Sequence, residues 1–255
     1  MTGSGASFRL DNRTALVTGA NAGLGSAFAL ALARAGADIV AVGRKPPTET
    51  AAGVTAVGRR LEFVEADLAE MNPADIVTRA LGKFDGVDIL VNNAGIIRRQ
   101  DALDLDEQTW DEVMNVNLKA VFFLSQAVAR QLVARGRPGK IINVASMLSF
   151  QGGVRVASYT ASKSGLAGLT KLLANEWAPH RINVNMISPT FVRTPQGERF
   201  LTDPAFYQSV VGRIPLGRIG ETDDVVGAVL FFASPASNFV TGQTLYLDGG
   251  ITATQ

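Results

Sequence analysis

The chain has 255 residues, of which 47% are hydrophobic and 18% charged, with a net charge of +1. That balance supplies a large core and gives no electrostatic ground for a nucleic acid or an anionic membrane as partner. No cysteine and a single histidine exclude disulfides, thiolate chemistry and an ordinary zinc site, so no metal is expected, and a reducing cytoplasm is the compartment that fits. The opening MTGSGASF lacks the apolar stretch of a signal peptide, and residues 1–9 read as a flexible tail. No run approaches the length of a membrane span.

Short apolar runs then alternate with helical patterns. The runs are TALVTG (14–19), DIVAVG (38–43), LEFVEA (61–66), VDILVNNAG (87–95), KIINVAS (140–146), INVNMIS (182–188) and TLYLDGG (244–250). Unalternating and rich in Val, Ile and Leu, they suit parallel strands covered on both faces. Helices are expected over 23–35, 73–81, 107–135, 157–177 and 222–233. This rhythm predicts an α/β, doubly wound parallel sheet. No linker or repeat divides the chain, so 1–255 reads as one domain. Segment 194–220 interrupts the rhythm after a strand end and reads as a substrate lid.

TGANAGLG (18–25) follows the first strand and opens the first helix. Gly19, Gly23 and Gly25, with Asn21, Ala22 and Leu24 between them, let the backbone approach a pyrophosphate at a helix N-terminus. The spacing is G-x-x-x-G-x-G, and the alternative is a tight turn without ligand. Asp38 has the sequence distance of an acid that meets a ribose, but it begins its strand, about 16 Å from the carboxyl end. That end carries Gly43, Arg44 and Lys45. Space followed by cations suits a 2′-phosphate and leans the reading to NADP(H) over NAD(H), solvated charges being the alternative. Asp67 and Leu68 are placed to border an adenine, although Asp67 could equally cap a helix starting near Met71. Asn92 and Asn93 at a strand terminus can tie loops together, and Ala94-Gly95 lets backbone pass close to a ribose.

Ser146 closes the fifth run, and Tyr159 and Lys163 follow at i and i+4 on one helix face, about 6 Å apart. A free phenol is a poor base at neutral pH. A nearby ammonium, together with an oxidised nicotinamide, is expected to stabilise the phenolate and bring it into the range of acid–base work. Ser146 can hold a substrate oxygen. His180, Trp110 and Trp177 read as structural residues.

TGANAGLG, DL (67–68), NNAG (92–95), VNL (116–118), Ser146, the Tyr159/Lys163 pair and the late DGG together resemble the short-chain dehydrogenase/reductase family from about Leu10 to Gly250. The resemblance implies a single-domain Rossmann fold with seven strands, and a hydride passed between nicotinamide and a carbinol or carbonyl carbon. It adds Asn117 as the residue holding a proton-relay water beside Lys163. Pro189, Val192 and Thr194 match nicotinamide-side positions. It also implies dimers or, more often, tetramers formed through the helices 107–135 and 157–177, and a homotetramer is expected. Three departures stand out: Thr190 replaces the usual glycine after Pro189, Ala22 stands where NADP-preferring members often carry a cation, and segment 45–60 is short and proline-broken for the helix after strand two.

NNAGIIRR (92–99), ASMLSFQGGVRVASYTASKSG (145–165) and NEWAPHRINVN resemble, within that family, the 2-deoxy-D-gluconate 3-dehydrogenase subgroup, whose members act on sugar acids. A carboxylate substrate wants a cation, and Arg98, Arg99, Arg155 and Arg193 are candidates, with Gln151 and Gln196 for hydroxyls. The alternatives are a gluconate or polyol dehydrogenase, a 3-oxoacyl-carrier-protein reductase and a non-catalytic cofactor sensor.

Overall fold

In the computed structural model, which describes residues 7–195 and 202–253, seven parallel strands form one sheet in the order β3-β2-β1-β4-β5-β6-β7. The strands are β1 (Thr14–Thr18), β2 (Asp38–Gly43), β3 (Leu61–Glu65), β4 (Ile89–Asn92), β5 (Gly139–Val144), β6 (Ile182–Pro189) and β7 (Thr244–Leu247). Their side chains alternate between two cores. Ala15, Val17, Ile39, Ala41, Ile89 and Val91 pack on one face against helices α1 (Gly23–Arg34) and α8 (Thr222–Ala233). Leu16, Val40, Val42, Leu90 and Ile141 pack on the other against α3 (Pro73–Leu81), α5 (Ala120–Ala134) and α6 (Ala157–Trp177). With both faces covered, the central strands β1 and β4 are buried along their whole length, which is why those runs do not alternate, while the edge strands β3 and β7 are only partly buried.

The chain leaves β1 in one direction to build β2 and β3 and later returns to place β4 on its other side. The strand order reverses between β1 and β4, and such a switch point is where this topology places a ligand crevice, beyond the strands' carboxyl ends. Thr18, Asn92, Val144 and Pro189 end their strands along that edge.

Two elements differ from the sequence reading. The proline-broken segment after β2 still forms α2 (Thr48–Ala56), because Val54 is fully buried and the Thr50 hydroxyl donates to the Ala20 carbonyl at 2.9 Å. The helix expected over 107–135 is α4 (Glu107–Met114), one π turn (Asn115–Lys119) and α5. The π turn inserts a residue around Asn117.

Candidate active site

The glycine turn uses its missing side chains. Gly19 and Gly23 have φ of +69° and +56°, which favour glycine. A Cβ on Gly25 would lie 2.1 Å from the Gly19 carbonyl oxygen. Helix α1 is preceded by Ala22 at its N-cap, with no side-chain cap and no acid in its first turn. Its first N–H groups therefore remain available to an anion. Asn21 and Ala22 are exposed at the turn, and Leu24 turns partly into the core.

NNAG ties this turn to the centre of the sheet. The Thr18 hydroxyl accepts from the amides of Asn93 (3.0 Å) and Ala94 (2.9 Å), and the Asn93 amide group donates to the Thr18 carbonyl at 2.9 Å. Asn92 turns inward and donates to Asn143 and Ser125. Thr18 opens TGANAGLG, but its tie to NNAG is not legible there, since a threonine ending a strand reads by itself as an ordinary β former.

At the end of β2, a Cβ on Gly43 would meet nothing within 4 Å. Arg44 is mostly exposed and lies 3.7 Å from the Asp67 carboxylate. Asp67 does not cap a helix. Its carboxylate accepts from the Ala69 amide, whereas Asn72 caps α3. Leu68 is partly buried against the core. Asp38 sits at the opposite end of its strand, paired with Arg59 and Arg60.

Strand β5 and helix α6 bring the candidate acid–base residues together. Lys163 is 4% exposed and donates to the Val144 carbonyl at 2.8 Å. Its Nζ lies 5.7 Å from the centre of the Tyr159 ring. A Cβ on Gly95 would be 3.6 Å from that Nζ, so a bare glycine borders the lysine. Ser146 stands beside the Tyr159 hydroxyl, where it favours the phenolate, and its own hydroxyl accepts from the Leu148 amide. Burial lowers the pKa of Lys163 from 10.5 to about 8.

The Tyr159 phenol departs from expectation. Burial raises its pKa, and the Ser146 hydrogen bond and the Arg99 charge lower it by less. In the chain alone, then, desolvation of the phenolate outweighs the cations around it. The expected acidification by Lys163 is not produced by the protein by itself.

Asn117 is completely buried in the π turn. It accepts from the Ile96 amide at 2.8 Å and donates to the Ile96 carbonyl at 2.9 Å and to Ser162 at 3.3 Å. It thereby clamps the backbone just after NNAG beside the lysine. The local change of pitch that breaks the long helix falls where Asn117 makes these bonds.

The loop beyond β6 closes over the glycine turn. Pro189 ends β6, Val192 bridges to Gly220, and a Cβ on Gly23 would lie 3.5 Å from Thr194. Thr190 places its hydroxyl 2.8 Å from the Met147 sulfur. From the interrupting segment, α7 (Pro204–Val211) and Ile214 pack with Met147, the residue after Ser146. The loop arginines are mostly matched by acids. Arg98 pairs with Glu112, Arg155 with Asp101 and Arg193 with Glu221. Arg99 is the one whose charge acts on the phenol. Gln151 is half-buried in the loop after Ser146, and Gln196 lies outside the described residues.

This constellation fits a nicotinamide dinucleotide: an uncapped helix start, a turn that excludes side chains, and a bare glycine beside Lys163. Comparison with known proteins decides the family. Residues 19–252 match the family model described as enoyl-(acyl carrier protein) reductase. Over 245 residues the chain is 52% identical to the 2-dehydro-3-deoxy-D-gluconate 5-dehydrogenase of Escherichia coli K12, covering 95% of this chain and 96% of that one. The chain belongs to the short-chain dehydrogenase/reductase family. A crystal structure from Agrobacterium tumefaciens, described as a 2-deoxy-D-gluconate 3-dehydrogenase with bound NADP, superposes with a TM-score of 0.92 at 50% identity, covering 97% of this chain and 99% of that one. A gluconate 5-dehydrogenase from Burkholderia cenocepacia, in complex with NADP and tartrate, superposes at 0.91 and 38% identity, covering 98% and 99%. This short-chain dehydrogenase is an NAD(P)-dependent oxidoreductase of the CH–OH type. No described helix is long and apolar enough to cross a membrane.

Proposed function

We propose that this short-chain dehydrogenase oxidises a secondary alcohol of a sugar acid, or reduces the matching ketone, with NADP(H) preferred to NAD(H). The observation that carries the reading is the meeting of Ser146, Tyr159 and Lys163 at the mouth of the β1/β4 crevice, with the Arg99 charge acting on the phenol. Relatives named for deoxygluconate and gluconate substrates supply the substrate class.

The bound nicotinamide supplies or takes up the hydride. The rest falls to the protein. Ser146 holds the substrate oxygen by a hydrogen bond. During oxidation the Tyr159 phenolate takes the proton of the substrate hydroxyl, and during reduction the phenol returns it to the ketone oxygen. Lys163 places a positive charge beside the phenolate, and Asn117 holds the loop next to it. Arg99 offers a guanidinium to the substrate carboxylate. Arg44 at the end of β2 supports the NADP(H) preference.

Arg98, Arg155 and Arg193 are paired with acids, so the mouth offers little basic field to an acidic carrier protein. This weighs against a 3-oxoacyl-carrier-protein reductase. The described chain acts as one domain, and the described part of the lid over 194–220 packs on Met147 through α7 and Ile214; residues 1–6 of the expected tail and 196–201 of the lid lie outside the described residues, while Ser7 and Arg9 are held by Ala236 and Asp11. The outer face of α5 and α6 exposes Phe123 and Leu172 beside Leu118, Phe122 and Leu169, a shallow apolar groove suited to a homotetramer in the cytoplasm.

The test is a panel of sugar acids, polyols and an acetoacetyl thioester, assayed with both cofactors by nicotinamide absorbance. Turnover of a deoxygluconate or gluconate keto acid with NADPH is expected. Turnover restricted to the thioester would overturn the substrate reading.

A further inference from the structure

We propose that a second site, at the opposite edge of the sheet from the acid–base residues, binds a small phosphate monoester. A cavity of about 750 Å³ opens there, where β1, β4, β5 and β6 begin. Backbone hydrogen bonds set its floor: the Asp88 amide donates to Thr14, the Lys140 amide to Asp88 and the Gly139 amide to Arg181. Four cations, Arg9, Arg13, Lys140 and Arg181, line it against one acid, Asp88.

That acid is already saturated. One carboxylate oxygen of Asp88 accepts from Arg137 at 2.6 Å and from Arg13 at 3.3 Å, and the other from the Thr14 amide at 2.9 Å. Arg9 is paired with Asp11. Lys140 is left with neutral partners, the Asn183 side-chain oxygen at 2.9 Å and the Ser237 hydroxyl at 3.3 Å. Arg181 donates to the Gly136 carbonyl. Neither Lys140 nor Arg181 has an ion pair among the described residues.

A half-buried ammonium next to a guanidinium, with no carboxylate of its own, is an unfavourable arrangement in a chain of net charge close to zero. Burial and the Arg13 charge depress Lys140 to about 8, which is the expected symptom. A dianion in the cavity would relieve it. A phosphate offers three acceptor oxygens to a lysine point charge and a guanidinium fork. The remaining walls explain why an ester, with an organic body, suits the space better than bare phosphate. Pro138, Pro235 and the fully exposed Phe239 give apolar surface beyond the cations.

The site shares no residue with the catalytic crevice, so the two can be tested separately. Calorimetric titration of the NADP-saturated enzyme with glucose 6-phosphate, inorganic phosphate and glucose is the experiment, since saturation removes phosphate binding at the cofactor site. Glucose 6-phosphate is expected to bind more tightly than inorganic phosphate, and glucose not at all. Lys140→Met and Arg181→Gln should each weaken binding by about tenfold or more while leaving NADP affinity and turnover unchanged. Binding should draw a proton from buffer near pH 8, so its heat should vary with the buffer's ionisation enthalpy. No binding of either phosphate at about 10 mM would overturn the proposal. Unchanged affinity in the Arg181→Gln variant, whose residue is exposed and tolerant, would do the same even if Lys140→Met failed to fold.

Discussion

At the scale of single residues, the site sets burial against charge. Tyr159 is held neutral by desolvation, and its Lys163 neighbour is itself pushed down to about 8. Tyr159→Phe removes the phenolic hydroxyl, and with it the exchangeable proton and the interaction with Ser146. It should cut kcat by a hundredfold or more, roughly the worth of a positioned acid–base group, with NADP affinity nearly unchanged. Equal turnover would refute the acid–base assignment. In the oxidation direction kcat/KM should rise with pH as the phenol ionises, and Lys163→Met should move that rise to higher pH, measured in the NADP-bound enzyme. Lys163 also makes a stability prediction. Its folded pKa lies below its ordinary value of 10.5, so between pH about 8 and about 10.5 the unfolded chain binds more protons. Stability should therefore rise with pH across that window, and the full cost of burying the charge, on the order of 3 kcal/mol, is in place below it. Tyr159 contributes the opposite slope at high pH, so urea midpoints of wild type and Lys163→Met are best compared in a Tyr159→Phe background. Parallel pH profiles would argue against a charged, buried lysine. Arg44→Ala should weaken NADP(H) about tenfold more than NAD(H). Equal effects would leave Arg44 as the partner of Asp67 alone.

At the scale of elements, function depends on backbone that lacks side chains or departs from regular helix. Gly25 opens α1 where a Cβ would run into the Gly19 carbonyl oxygen. Gly25→Ala should lower the melting temperature and weaken NADP binding by at least about tenfold, because the turn and the helix start must separate to accept the methyl group. A variant with wild-type affinity would show that the turn does not form the phosphate cradle. The π turn makes a related point. The pattern over 107–135 reads as one uninterrupted helix, and Asn117 in it as a mild oddity. What makes the residue matter is Ile96, some twenty positions away in sequence and bonded through both backbone groups. Segment 45–60 shows the converse. Its prolines argued against a full helix, yet tertiary burial of Val54 and Thr50 carries a short one.

For the whole molecule, the two ends of the sheet have different tasks. The carboxyl edge gathers the glycine turn, NNAG, Ser146 and the Tyr159/Lys163 pair, while the amino edge gathers cations around a cavity. The apolar groove on α5 and α6 faces neither, consistent with the proposed subunit contact. Phe123→Glu combined with Leu172→Glu should reduce the assembly to a smaller species in light scattering, since like charges would meet across a self-complementary face. An unchanged mass would place the contact elsewhere.

The sequence by itself determined the parallel sheet, its seven strands and the residues at their carboxyl ends. Unbroken Val/Ile/Leu runs are a local consequence of burial on both faces, and the glycine turn and the Tyr-x-x-x-Lys spacing are local too. The tertiary structure decided what depends on residues far apart in the chain. It showed that Asn72, not Asp67, caps α3, that Thr18 ties NNAG to the first strand, and that three loop arginines are balanced by acids while Arg99 is felt at the phenol. It also set the direction of the phenol's pKa, because desolvation depends on everything packed around a group and a spacing of four residues records only one neighbour.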